Sequence, residues 1–193
     1  MTADPGTRHG LPVTPLTPLT DVVPGPVADV PAPVAADTFK AIFRRHPAGV
    51  AIVALADGER PVGFTATSVI SVSAEPPLLA FSIAATSSAW PTLAEATTLT
   101  VNFLGAEQVD VSARFATKGV DRFAGVDWHR LPTGEPVLDD APAWVRGEVV
   151  QRIPAGASFL VLVRVLESAQ PGTTAPLVYH DRAYHQLGDG SAL

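Results

Sequence analysis

Apolar residues crowd into short runs along this chain, and turn residues part the runs at intervals too brief for long helices. Gly49–Leu55 (GVAIVAL) is continuous and β-branched, the pattern of a buried strand. Asp57-Gly58 signals a turn, and Pro61–Thr65 returns as the hairpin partner. Val69–Ser73 and Leu78–Ile83 read as further strands, parted by Pro76-Pro77. Leu99–Leu104, Trp144–Arg152 and Ser158–Leu166 follow, with a last short pair at Leu177–His180 and Ala183–Leu187. Helical spacing is confined to three places. Phe39, Ile42 and Phe43 share a face behind Asp37, a candidate N-cap, and Pro47 stops that helix. Trp90–Ala96 carries Pro91 in its first turn. Ala106–Phe115 aligns Val109, Val111 and Phe115, and the Gly- and Pro-rich segment 116–142 reads as a long loop. Strands do not alternate with helices, so a doubly wound parallel sheet is excluded in favour of a small antiparallel barrel plugged by short helices.

Residues 1–36 stand apart. Eight prolines fall between Pro5 and Pro33, which removes amide donors and forces extended geometry, so this segment reads as a disordered or draped arm. The folded domain is expected over 37–193. At 193 residues with 47% hydrophobic content, the chain can bury a sizeable core. A formal net charge of −6 argues against nucleic acid, which needs clustered Lys and Arg. The absence of cysteine excludes a disulfide scaffold, a thiolate metal site and a Cys nucleophile, and fits a reducing cytoplasm. With no signal-like start and no run of about 20 apolar residues, the sequence predicts a cytoplasmic protein away from membranes.

Familiar catalytic patterns are missing: there is no G-x-S-x-G, H-E-x-x-H, Walker loop or G-x-G-x-x-G. The five histidines are scattered, and only His180 and His185 fall close together, too thin a set for a metal. What remains is hydroxyls and amides. Thr65, Thr67 and Ser68 form one cluster. Thr86, Ser87 and Ser88 form a second, just ahead of a helix, where they either cap it or receive a phosphate. Arg114, Phe115 and Lys118 form a third. Together they describe a pocket for a phosphate tail and a flat polar ring, suited to a cofactor that carries its own chemistry.

Several stretches carry a family resemblance: Phe43–Val50 (FRRHPAGV), Gly63–Pro77, Ser87–Leu93, Val101–Leu104, Ser112–Phe123 (SARFATKGVDRF) and Pro176–Leu187 (PLVYHDRAYHQL). From about Phe39 to Leu187 the chain resembles the flavin reductase-like family of FMN-binding split barrels. That resemblance implies a mainly β fold: a six-stranded antiparallel split β-barrel with a few short helices, Greek-key-like and homodimeric. It implies hydride transfer from NADH or NADPH to FMN or FAD, with reduced flavin passed to a partner monooxygenase. Carried over position by position, Phe64, Thr65, Ala66, Thr67 and Ser68 match the loop that lines the flavin ring. Ser82, Ile83 and Ala84, with Ser87 and Ser88, match the segment holding the ribityl chain and phosphate. Asn102 matches a strand asparagine near the flavin, and Arg114 and Phe115 match the segment that closes over it.

One departure falls on the nicotinamide side. Where many members carry Gly-Asp-His, this chain has Gly156-Ala157-Ser158, and the glycine expected later in that strand is Val163. Ser158 thus occupies the position of the family histidine and can donate a hydrogen bond without carrying charge. Two other readings follow: a flavin-binding carrier or accessory protein without efficient nicotinamide oxidation, and a split-barrel flavin oxidase.

Overall fold

The computed structural model describes residues 32–58, 60–170 and 172–191, and turns nearly every apolar run into a strand. Most of the Pro-rich arm lies outside the described residues. In chain order the elements are α1 (Ala36–Arg44), β1 (Ala48–Gly49), β2 (Ala51–Asp57), β3 (Arg60–Ala66), β4 (Ile70–Ala74) and β5 (Pro77–Ala84). They continue with α2 (Trp90–Glu95), β6 (Thr98–Phe103), α3 (Val109–Ala116), β7 (Trp128–Arg130) and β8 (Pro136–Leu138). β9 (Ala143–Ala155), β10 (Ser158–Ala169), β11 (Leu177–His180) and β12 (Ala183–Gln186) complete the set.

The main sheet is antiparallel throughout, in the order β3-β2-β6-β9-β10-β5-β4. It has seven strands where six were expected, and its edges β3 and β4 pair only with β2 and β5. β1, β11 and β12 form a small second sheet. The segment read as a long loop also contains a hairpin, β7–β8, turned by Pro132 and Gly134. The first helix starts at Ala36, so Asp37 lies inside its first turn rather than at the cap. The helix expected from Ala106 starts three residues later, at Val109.

β2 explains why its run is apolar at every position. Ala51, Val53 and Leu55 enter one core with Phe64, Phe81, Leu93, Val101 and Val161. Val50, Ile52 and Ala54 enter another with Leu104, Phe115, Phe123 and Leu177. Both faces are covered, and each fully buried aliphatic side chain contributes about 1.5–3 kcal/mol. α2 pins the first core through Leu93. Arg152 of β9 donates to the carbonyls of Leu93 (2.8 Å) and Ala96, satisfying the end of that helix.

Polar groups inside are paired. Asn102 is fully buried: its amide donates to Ile52 O and Thr100 Oγ1, and its carbonyl accepts from Leu138 N at 3.0 Å. Glu135, 2% exposed, accepts from Arg146 Nε at 2.9 Å and from Thr133. Burial alone would raise its pKa, yet the bonds from Arg146, Thr133 and Thr98 outweigh that and hold the carboxyl down at about 2.

Strands β9 and β10 fit through an exchange of volume. A Cβ on Gly147 would stand 2.5 Å from Val163 Cγ1 and 2.6 Å from Arg164 O. Val163, in the place of the glycine that the resemblance leads one to expect, fills the room that Gly147 leaves across the ladder. Among the described residues no helix is long and apolar enough to cross a membrane.

Candidate active site

Edge strand β3 and the C-terminal half of β5 converge where α3 packs against the sheet. Gly63 makes the approach feasible: a Cβ there would stand 2.8 Å from the Phe115 ring and 3.0 Å from Val53 O. Phe115 therefore lies against the β3 backbone, fully buried, with Phe123 edge-on at 4.9 Å. The groove left beside it is a cavity of about 420 Å³, within the range of small-molecule sites.

The walls gather ten of the residues singled out from the sequence: Phe64 and Thr65 from β3, Ser82, Ile83 and Ala84 from β5, Thr86, Ser87 and Ser88 from the loop before α2, Phe115 from α3, and Lys118 just after it. Ala116, Gly119 and Arg122 complete the lining. The lining contains no Asp, Glu or His, so nothing in it titrates near neutrality.

Arg122 escaped the sequence reading although it lies in the quoted stretch SARFATKGVDRF. Its Nη1 donates to Gly63 O at 2.7 Å and its Nε to Thr117 O at 3.0 Å. Both partners are neutral carbonyls, and no carboxylate among the described residues pairs with Arg122 or Lys118. Burial pushes the Arg122 pKa below its ordinary value, as expected for a charge held without a counter-ion. The signal available beforehand was positional: few cations occur in this acidic chain, and this one follows a Gly-rich loop beside hydroxyls.

Other expected residues stand elsewhere. Thr67 and Ser68 line a second cavity, of about 620 Å³, which shares Ser82 with the first. Ala66 is buried in the first core. Asn102 lines neither of these two cavities and spends its amide inside the sheet. Arg114 turns outward and donates to Asp121 O at 3.1 Å. Ser158 sits opposite Ala84 in the β10–β5 ladder, next to the cavity wall but outside its lining. The adjoining turn is tied by its backbone, with Ala85 N donating to Ala157 O at 3.0 Å.

Two hydroxyls are already committed. Thr65 Oγ1 donates to Ser112 O at 2.6 Å, and Ser68 Oγ both donates to Ser82 O and accepts from Ser82 N at 2.9 Å. The loop before α2 is only partly so. Ser87 Oγ accepts from Ala89 N, whereas Ala89, the N-cap of α2, provides no side-chain cap. Thr86 and Ser88 keep their hydroxyls uncommitted among the described residues, so the capping alternative does not account for this cluster.

Residues 43–188 match the model of the flavin reductase like domain. The chain is 45% identical over 158 residues to an NADH:FMN oxidoreductase of Rhodococcus erythropolis, covering 79% of this chain and 82% of that protein. It is 30% identical over 149 residues to the reductase subunit of a flavin-dependent monooxygenase of Mycobacterium tuberculosis, covering 76% and 80%. The crystal structure of a flavin reductase domain protein from Arthrobacter sp. FB24 superposes with a TM-score of 0.76 at 40% identity, covering 79% of this chain and 95% of the other. With a family model matched over most of its length and relatives and a solved structure of the same kind, the chain belongs to the flavin reductase-like family.

Proposed function

We propose that the chain is an NADH- or NADPH-dependent flavin reductase, that the cavity beside Phe115 holds FMN or FAD, and that the reduced flavin passes to a monooxygenase. The observation carrying this reading is that Lys118 and Arg122, without a carboxylate partner among the described residues, line one cavity with Thr86 and Ser88, whose hydroxyls are uncommitted among those residues. That donor set suits a phosphate. The ring end suits the apolar wall of Phe64, Ile83 and Phe115, beside an edge strand whose outward backbone groups the sheet does not claim.

Bound flavin would supply the hydride-accepting chemistry. The chain's part is to bind, orient and exclude water. Arg122, braced on two carbonyls, fixes the phosphate end. Phe115, locked by Phe123, sets the wall against which a ring would lie. Orientation of two reactants at close range is worth several kcal/mol of barrier, and needs no acid or base from the protein.

We further place a second copy of the chain on the exposed apolar side chains. Ile70, Leu160 and Leu166 are 57%, 37% and 49% exposed, and α1 presents Phe39, Ile42 and Phe43 with nothing buried. This many exposed large apolar side chains are unusual on a monomer. A cytoplasmic site of action fits the cysteine-free composition.

Arg122→Ala tests the reading. It should raise the FMN dissociation constant about 10-fold or more, the cost of about 1.5–3 kcal/mol for lost bonds to a charged group. Arg122→Lys should recover part of it, and NADH consumption in the parent protein should require added flavin. Equal FMN affinity in parent and Arg122→Ala would overturn the assignment.

A further inference from the structure

Thr86, Ser87 and Ser88 are held at the cavity from their two ends. Among the described residues their own hydrogen bonds stay within the segment 84–90: Ser87 N donates to Ala84 O at 2.9 Å, and its carbonyl and hydroxyl oxygens accept from Trp90 N and Ala89 N. Nothing in that set fixes the loop to the rest of the sheet. The ends do so. At one, Ala85 N donates to Ala157 O at 3.0 Å, in the turn between β9 and β10. At the other, Ala89 sinks into the first core, and the Trp90 ring lies face to face on Phe159 of β10, with centroids 3.7 Å apart and planes within 10° of parallel. Ala157 and Phe159 are two positions apart, so both ends of the loop rest on one short base. That base is fixed in turn, because Phe159 pairs with Ile83 of β5 and Pro154 of β9, and Ile83 is part of the cavity wall.

Volume alone does not account for the stack. Trp90 and Phe159 are only partly buried, at the margin of the first core. Their centroids are closer than the roughly 4.5–7 Å at which aromatic pairs usually rest, so the two faces meet with little offset. Two flat faces so placed fix both the separation and the tilt of the segments that bear them, which an aliphatic pair does not. We propose that Trp90 and Phe159 are positioning residues for the phosphate end of the flavin. Their stack sets where Thr86 and Ser88 meet the phosphate, and so gives the chain a preference for FMN over riboflavin, which has the same ring without the phosphate. Neither aromatic ring lines the cavity, so the effect is carried by the loop. The proposal rests on the flavin reading of that cavity.

Calorimetric titration of the full chain with FMN and with riboflavin measures that preference. Trp90→Leu and Phe159→Leu are each expected to weaken FMN binding about 5- to 10-fold, while riboflavin affinity stays within about two-fold of the parent's. Trp90→Phe, which keeps a flat face for Phe159, should recover most of the parent's ratio. Should a leucine variant not fold, the methionine variant at that position carries the same expectation, because it keeps more volume and still lacks the flat face. A double-mutant cycle follows the route of the effect: Ser88→Ala should weaken FMN binding in the parent and much less in the Trp90→Leu background. An unchanged FMN-to-riboflavin ratio in the variants at both positions overturns the proposal, as does an equal loss for the two flavins, the mark of a merely structural role. Strictly additive effects in the cycle, or equal affinity of the parent for FMN and riboflavin, overturn it too. Absence of FMN binding in the parent sinks the flavin assignment itself, which separates the two readings.

Discussion

Thr65 gives its hydroxyl proton to the backbone carbonyl of Ser112 across 2.6 Å, binding the edge of the sheet to helix α3. Ser112 extends the link, because its Oγ lies 2.9 Å from the Tyr184 hydroxyl of β12. Three separate elements are thereby held around the cavity by two short polar contacts. Thr65→Val, close in shape and without the hydroxyl, should cost about 1–2 kcal/mol of stability. It should also loosen the Phe115 wall, so that FMN binds a few-fold more weakly. Denaturant unfolding and flavin titration of one preparation check both; a stability equal to the parent's would remove the contact from the list of supports.

The buried ion pair of Glu135 and Arg146 makes stability depend on acidity. Because the folded Glu135 pKa lies near 2 and its ordinary value is 4.5, its stabilisation is complete above about pH 4.5 and is lost as pH falls toward 2. Glu135→Gln should lower stability at neutral pH by about 1–3 kcal/mol, since it leaves a half-buried guanidinium without its carboxylate. The variant's stability should also fall less steeply between pH 4.5 and 2, read by thermal unfolding across that range. Parallel pH profiles for the two proteins would contradict the assignment.

Gly147→Ala should be severe for its size. Its added carbon meets a backbone carbonyl at 2.6 Å as well as the Val163 methyl, and a carbonyl in a ladder has little freedom to retreat. A loss of about 2 kcal/mol or more is expected. Val163→Ala in the same chain should restore only the part owed to the methyl contact, which a double-mutant cycle measures. Full restoration would show that the backbone contact carries no cost.

The long strands were legible because their apolar runs continue over both faces, as β2 shows with its two cores. The β7–β8 hairpin was not, since three-residue strands divided by Pro132 and Gly134 leave no period to detect. The site was legible as segments rather than as atoms. Thr65 and Ser68 signalled polarity correctly, but a sequence does not disclose that Ser112 and Ser82 already engage their hydroxyls. Asn102 carried the same ambiguity, with its amide spent on Ile52, Thr100 and Leu138. Arg122 was hidden for the opposite reason. Its meaning lies in a bond to Gly63, 59 residues away, and in the lack of an ion-pair partner among the described residues.

The fit between Gly147 and Val163 also sets an order on change. A chain carrying a side chain at 147 must first lose it before a valine can settle at 163, because the reverse sequence passes through a collision. Either position judged singly then misleads: a missing glycine looks like damage, while its counterpart on the adjoining strand leaves the space vacant. Because the Arg164 carbonyl closes on the same spot, shrinking residue 163 alone would not reopen position 147 to a side chain.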